Sequence, residues 1–442
     1  MQFEPFRVGV AGLGTVGASV LNLVARQDNA LAERAGRPVR VTAVSARDKT
    51  RDRGHDLTRY RWFDDPVALA KADDLDCVVE LIGGEGGTAK AVVEAALETG
   101  KHVVTANKAL LARHGLDLAR AAERNGVALA FEASAAGGIP VVKTLREALA
   151  GNRISRLYGI LNGTCNYILS RMESEGCSFA DCLAAAQRLG YAEADPTFDI
   201  GGHDTAHKLA LLTALAFGTE IDAEAIYVEG IEKITPLDLR MAEELGFRIK
   251  LLGVAEKTGT GIEQRVHPTM VPRTSSIAQV MGVTNAVTID ADAVRELTLI
   301  GPGAGGDATA SAVVADIADV AAGPVGAPFG RAVARLDKAE RAPMQRHEGG
   351  YYIRLTVHDR PGVAAGVATR MAEANISIES IVQKRPPGSV PPTDKHGRSG
   401  EPVPLVLITY AAAESAIRTA LDAIRQDGLV SEEPQVIRIE RE

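Results

Sequence analysis

The sequence predicts an α/β protein in three parts: a parallel-sheet domain, an α+β domain and a small C-terminal sandwich. Three observations predict it. Over residues 1–140, short apolar runs alternate with helix-like stretches, as in a parallel sheet with crossover connections. Residues 141–322 are richer in helix but keep strand-like runs. Residues 351–442 carry the order β-α-β-β-α-β, which is that of a ferredoxin-like sandwich. A length of 442 residues suits about three domains.

Taken in order, residues 7–13 read as the first strand, opening into a glycine-rich turn and a helix over 18–25. Strands follow at 39–44, 77–82, 102–106 and 127–131, with helices at 66–71, 88–99 and 110–125. In the middle, 179–189, 204–217 and 236–246 read as helices, and 248–256 and 261–267 as strands. Gly323-Pro324-Val325-Gly326-Ala327-Pro328 marks a boundary, and 323–350 reads as a linker, polar from 338 on. The last part reads as a separate unit. Its strands are expected at 351–358, 377–384, 403–411 and 435–440, and its helices at 361–374 and 414–425. Residues 385–404, rich in Pro, Gly and charge, are expected to form a long mobile loop.

Hydrophobic residues make up 46% and charged residues 24%, a globular balance. No apolar run approaches the roughly 20 residues of a membrane span, and the N-terminus lacks the plan of a signal peptide. A cytoplasmic protein without a membrane partner is expected. Lys and Arg number 49 against 57 Asp and Glu, a net charge of −8. No nucleic-acid partner is expected, because that affinity rests on clustered positive charge. One local basic stretch stands out, Arg47-Asp48-Lys49-Thr50-Arg51-Asp52-Arg53. The four cysteines form no C-x-x-C pair, and no disulfide staple is expected.

Gly12-Leu13-Gly14-Thr15-Val16-Gly17 is G-x-G-x-x-G between strand and helix. Glycines there let the backbone approach a pyrophosphate, and the helix N-terminus offers free N–H groups. A Rossmann-like nucleotide domain is therefore expected. The second strand ends without the acid that would take an NAD ribose, and Arg47 lies nearby. This suits the 2′-phosphate of NADP, with NAD as the alternative and a solvated charge as the plainer reading of Arg47.

Asp204 and Lys208 sit one turn apart on a helix whose continuation is almost wholly apolar. Buried charges are costly unless paired or used, so either a structural ion pair or a proton-exchanging lysine is expected. Lys108 follows an apolar strand, at the carboxyl end of which ligands bind in such sheets. Glu132, beside glycine-rich backbone, suits either a helix cap or a hard cation. His203 and His207 have the i, i+4 spacing of a zinc pair, but with no Glu base and no third ligand evident. Cys165 reads as a buried small thiol, with a catalytic nucleophile as the alternative.

Together these runs resemble the homoserine dehydrogenase family, in its monofunctional form with a C-terminal ACT domain. Further runs carry the resemblance: Glu80-Leu81-Ile82-Gly83-Gly84, Thr105-Ala106-Asn107-Lys108, Phe131-Glu132-Ala133-Ser134, Asn162-Gly163-Thr164, residues 189–199 and Gly303-Ala304-Gly305. Asp359-Arg360-Pro361-Gly362-Val363 and Asn375-Ile376-Ser377-Ile378 resemble an ACT domain. The resemblance implies reversible conversion of L-aspartate 4-semialdehyde to L-homoserine with NADP or NAD, in threonine, methionine and isoleucine biosynthesis. It implies Lys208 as proton donor, Asp204 as its orienter and Lys108 as a second lysine near the reacting carbon. Glu193 and Asp199 would hold the substrate ammonium, and Asn162, Gly163 and Thr164 would line substrate and cofactor. The glycine turn, Arg47, Thr105, Lys108, Gly303 and Gly305 would meet the cofactor, and 300–322 would return to the nucleotide domain. Glu132 with the carbonyls of Ala135, Gly137 and Ile139 matches a monovalent-cation site, expected to take sodium. The domain of 141–322 would bind substrate and dimerise. A homodimer or homotetramer is expected, with L-threonine as a possible ligand of the ACT unit. Two rival readings stand beside this: a phosphorylating semialdehyde dehydrogenase using Cys165, and a non-catalytic amino-acid sensor.

Overall fold

A computed structural model describes residues 4–323, 326–383 and 402–440. The first domain holds a six-stranded parallel sheet. Its strands are β1 (Phe6–Ala11), β2 (Val39–Ser45), β3 (Arg61–Phe63), β4 (Cys77–Glu80), β5 (His102–Thr105) and β6 (Leu129–Ala130). Their order across the sheet is β3-β2-β1-β4-β5-β6, the doubly wound arrangement whose switch point lies between β1 and β4. The central strands β1, β4 and β5 are short Val-rich runs buried almost throughout, as helix-covered parallel sheets require, whereas the edge strand β3, Arg61-Trp62-Phe63, is part-exposed. The run expected at 127–131 contributes only the two-residue β6. The helix Gly306–Ala322 returns to this domain, sharing one core with Val20, Leu21 and Val24 of the helix Thr15–Arg26.

The second sheet is built from β7 (Ile154–Ile160), β8 (Tyr227–Val228), β9 (Phe247–Thr258), β10 (Gly261–Pro272), β11 (Thr284–Ala291) and β12 (Arg295–Pro302). Helices Gly163–Glu175 and His203–Phe217 pack on it. The C-terminal unit adds β13 (Glu348–His358), β14 (Ile378–Gln383), β15 (Pro402–Thr409), β16 (Ala412–Ala413) and β17 (Gln435–Ile439), with helices Val363–Glu373 and Glu414–Gln426. Its sheet order, β17-β13-β15-β14, is that of a ferredoxin-like sandwich.

Three expectations need correction. The C-terminal unit is not separate: β17 pairs in parallel with β10 through Thr269↔Arg438 and Met270↔Ile439, which joins two sheets into one of eleven strands. The stretch read as a linker is packed down. Phe329 and Val333 are buried, and bridges Thr219↔Asp337 and Ile262↔Arg341 bind it to the second domain. Cys177 and Cys182 form a disulfide, because the turn at Gly176 brings their Cα atoms to 6.6 Å. The loop expected at 385–404 lies, up to residue 401, outside the described residues, as do Pro324 and Val325 of the boundary.

Candidate active site

The glycine turn is shaped by close approach. Gly12 has φ +105°, and a Cβ there would stand 2.5 Å from the Leu81 carbonyl oxygen at the end of β4. A Cβ on Gly17 would collide with the Gly12 carbonyl, so the helix Thr15–Arg26 starts hard against β1. Gly305 caps the returning helix, and Gly306 lies against Thr15 and Ser19. Two helix N-termini thus meet beside the turn, a favourable place for phosphate. The cleft in front holds about 640 Å³, lined by Gly12, Gly14, Ala46, Arg47, Arg51 and Arg53. Arg53 donates to the Leu13 carbonyl at 3.0 Å, tying the basic stretch to the turn. Arg51 and Arg53, which line the cleft beside Arg47, were legible only as part of the basic run of 47–53. Asp64 also lines this cleft, taking the Trp62 indole N–H at 2.7 Å. Missing a Cβ where the backbone narrows, and positive where a phosphate would lie, the cleft fits a nicotinamide dinucleotide.

The ends of β4 and β5 are held by a carboxylate. Glu80 is fully buried and accepts from the backbone of Ile82 (2.8 Å) and Gly83 (3.0 Å) and from the Thr105 hydroxyl (2.6 Å). Thr105 is therefore turned inward, and its oxygen also accepts the Asn107 N–H. Asn107 caps the helix Lys108–Asn125, which puts Lys108 at its first position.

From there Lys108 reaches Asp204 at 2.9 Å. Asp204 stands in the first turn of His203–Phe217 and also accepts from Lys208 at 2.7 Å. Lys208 gives a second proton to the Leu161 carbonyl at 2.7 Å. Asn162 completes the cluster: its amide donates to both Asp204 and Asp199 at 2.9 Å, while its oxygen caps the helix Gly163–Glu175. Burial opposes the charge of Asp204, but Lys208 and Lys108 outweigh it and hold the carboxyl well below the usual range. Burial lowers Lys208, with Asp204 opposing; burial also opposes the charge of the more open Lys108, but Asp204 together with Asp199 and Glu193 outweighs it and raises Lys108. Burial and the Asp204 charge raise Asp199.

Other expected residues stand around this centre. Gly163 packs against the Val283 carbonyl, and Thr164 donates to the Tyr191 carbonyl at 2.6 Å. Glu193 is exposed and acts on Lys108 only at longer range. Gly303 lies on the Asn285 side chain and against Gly137, so the turn of Glu132 adjoins the returning segment. Both Glu132 oxygens accept backbone N–H groups, from Val142 and Lys143 at 2.8 Å, so this carboxylate does the work of a cap. Burial, then the neighbouring Asp316, push it up to about 7. His203 and His207 flank Phe198, with ring centroids 6.1 and 5.3 Å away. Cys165 is fully buried, its thiol donating to the Asp199 carbonyl at 3.2 Å, and burial pushes its pKa well up. That environment disfavours a thiolate nucleophile.

Comparison with known proteins agrees with this geometry. Family profiles match residues 140–318 (homoserine dehydrogenase), 12–132 (homoserine dehydrogenase, NAD-binding domain) and 351–427 (ACT domain). A homoserine dehydrogenase of Pseudomonas aeruginosa is 44% identical over 99% of both chains, and one of Neisseria gonorrhoeae 43% identical over 99% of both. The chain belongs to the homoserine dehydrogenase family. It is thus an oxidoreductase with a nicotinamide-nucleotide domain and an ACT domain. A homoserine dehydrogenase structure from Thiobacillus denitrificans superposes with a TM-score of 0.92 at 42% identity, covering 99% of this chain and 98% of that one. A hyperthermophilic archaeal homoserine dehydrogenase in complex with NADPH aligns at 25% identity and a TM-score of 0.62, covering 72% of this chain and 98% of that one. Among the described residues no helix is long and apolar enough to cross a membrane.

Proposed function

We propose that the chain interconverts L-homoserine and L-aspartate 4-semialdehyde with NADP as its preferred nucleotide, Lys208 exchanging the proton at the substrate oxygen. The observation that carries this is the Asp204 carboxylate, shared by one lysine from each domain. A bound nicotinamide supplies or takes the hydride. The chain's residues supply the rest. An ammonium has three donors; Lys208 gives two to Asp204 and Leu161, which leaves the third for the substrate oxygen. As negative charge grows on that oxygen, Lys108 and Lys208 stabilise it and Lys208 protonates it. Asp204 holds both lysines in place. Asp199 and Glu193, whose charges both act on Lys108, take the substrate ammonium and fix its register.

Arg47, Arg51 and Arg53 favour a 2′-phosphate over a bare ribose, and the archaeal relative in complex with NADPH is consistent with a site that takes this nucleotide. The turn from Glu132 to Ile139 offers oxygen donors suited to sodium, with the Glu132 carboxylate as its cap; thermal stability in sodium against choline chloride checks this. The ACT domain is read as a sensor of L-threonine, and the enzyme as a dimer or tetramer through the second domain, which light scattering measures.

Lys208→Ala tests the central assignment. It should lower turnover by about 10²–10⁴ while binding of reduced NADP, followed by fluorescence, stays nearly intact. Wild-type turnover would sink the role.

A further inference from the structure

We propose that Asn285 is a positioning residue of the homoserine reaction: its side-chain amide takes hold of the Gly303-Ala304-Gly305 backbone as nucleotide and substrate draw the two domains together. The proposal rests on the homoserine reading of the site and adds a residue which that reading does not use. Asn285 is the second residue of β11 and is 1% exposed. Its amide nitrogen and oxygen are both shielded from solvent, and among the described residues neither has a hydrogen-bond partner. Leaving a buried amide unpaired is costly, so the group marks a place where stability has been given up. Two buried asparagines at the start of the neighbouring helix set the contrast. Asn162 accepts from Cys165 and donates to Asp199 and Asp204, and Asn166 donates to the Val280 and Thr284 carbonyls while accepting from Lys250.

The backbone that carries Asn285 is held firmly. The Asn166 amide grips the Val280 and Thr284 carbonyls at 3.2 and 3.1 Å, and the Gly282 N–H donates to the Ser170 hydroxyl at 3.2 Å. The amide of Asn285 lies between two parts of the site. On one side is Gly163, where a Cβ would stand 3.5 Å from the Asn285 oxygen; this is the helix start whose cap, Asn162, binds Asp199 and Asp204. On the other side is Gly303, where a Cβ would collide with the amide.

Gly303-Ala304-Gly305 is the bridge between the domains. It leaves β12 of the second sheet at Pro302 and enters the helix Gly306–Ala322, which packs in the first domain. Gly305, at φ +116°, caps that helix, and Gly306 rests on Thr15 and Ser19 beside the glycine turn. Ala304 and Gly305 are exposed, and two glycines in three residues let the bridge change its dihedrals at little cost. A nucleotide phosphate at the two helix starts and a substrate at Asp199 and Lys208 pull on opposite ends of this bridge. A small rotation of it turns a backbone carbonyl and an N–H toward the amide, which donates to one and accepts from the other. The amide is too well shielded to touch a ligand itself, so the bridge is the partner within reach. Bonds made only in that arrangement favour the ligand-bound form without stabilising the free one.

The test compares full-length wild type with Asn285→Leu, which keeps the forked shape, and Asn285→Ala, which guards against the larger methyl groups crowding Gly303. Scanning calorimetry gives the unfolding midpoint of the free enzyme and of the enzyme with reduced NADP plus L-homoserine, a pair that cannot react. Initial rates with NADP give kcat and KM for L-homoserine. The free midpoint should stay at or above that of wild type in at least one variant, because an unpaired amide has been removed. The rise brought by the ligand pair should shrink by roughly 2–6 °C. The KM for homoserine should rise by about tenfold to a hundredfold, the worth of two neutral hydrogen bonds, with kcat nearly kept. A free midpoint lowered in both variants would show that the amide already has partners and would overturn the proposal. So would a ligand-induced rise and a KM equal to those of wild type, and either result leaves the homoserine reading standing. A wild type that does not oxidise homoserine would overturn that reading and the proposal together.

Discussion

Asp204→Asn keeps the shape of the side chain and removes the charge that two lysines share. In the structure Asp204 is buried, with Lys208 at 2.7 Å, Lys108 at 2.9 Å and Asn162 at 2.9 Å. Lys108 is one-third exposed and can turn to water; Lys208 is buried and cannot. The cost therefore falls on Lys208. Removing one partner of a buried pair costs about 3–5 kcal/mol, which for a domain of this size lowers the unfolding midpoint by roughly 6–20 °C. The pH dependence has a definite sign. Burial already lowers Lys208, and Asp204 opposes that, so the variant's Lys208 loses its proton at still lower pH. Between that value and the ordinary lysine value the unfolded chain binds more protons than the folded one. The variant's stability should then climb with pH through that window, by up to about 1.4 kcal/mol per unit, and more than wild type does. Turnover should fall by about 10²–10⁴. Scanning calorimetry at pH 7 and pH 9, with rates on the same samples, measures all three. An unchanged midpoint at both pH values, or unchanged turnover, would mean that Asp204 does not hold the Lys208 charge.

Two further substitutions probe the cofactor cleft and the rival chemistry. Arg47→Ala should raise the KM for NADP by about tenfold, the worth of one charged hydrogen bond, and leave that for NAD unchanged; equal effects on both would remove the 2′-phosphate role. Cys165→Ser replaces a buried thiol that only donates to the Asp199 carbonyl, so homoserine oxidation should persist near the wild-type rate. Abolished activity in a folded variant would favour a covalent thiol mechanism instead.

The parts of the fold that local pattern controls were legible. The glycine turn, the Val-rich strands of the first sheet and the helices from 108 and 204 all declare themselves within about ten residues of sequence. Lys108 and Asp204 stood out for the same reason, one at the end of an apolar strand and one in an apolar helix. Their meeting at 2.9 Å could not be read, because 96 positions separate them and only the tertiary fold closes that gap. The strands Ile154–Ile160, Thr284–Ala291 and Arg295–Pro302 were missed; polar residues interrupt the apolar ones in all three, including the mostly buried Thr284–Ala291, so they lack the continuous run that marked the first sheet. The helix Gly163–Glu175 was missed too, although Asn162 is a ready N-cap signal. The joining of β10 to β17 left no apolar pattern to read. Its clue is a set of charges within strands, Arg265 and Arg438, which are buried only because Glu440, Glu229 and Glu414 meet them there.

Absorbance of reduced nicotinamide, with L-homoserine and limiting NADP or NAD in sodium buffer, is the decisive measurement. Homoserine-dependent reduction is expected, faster with NADP than with NAD at equal limiting concentration. No reduction with either nucleotide, from protein shown to be folded, would contradict it.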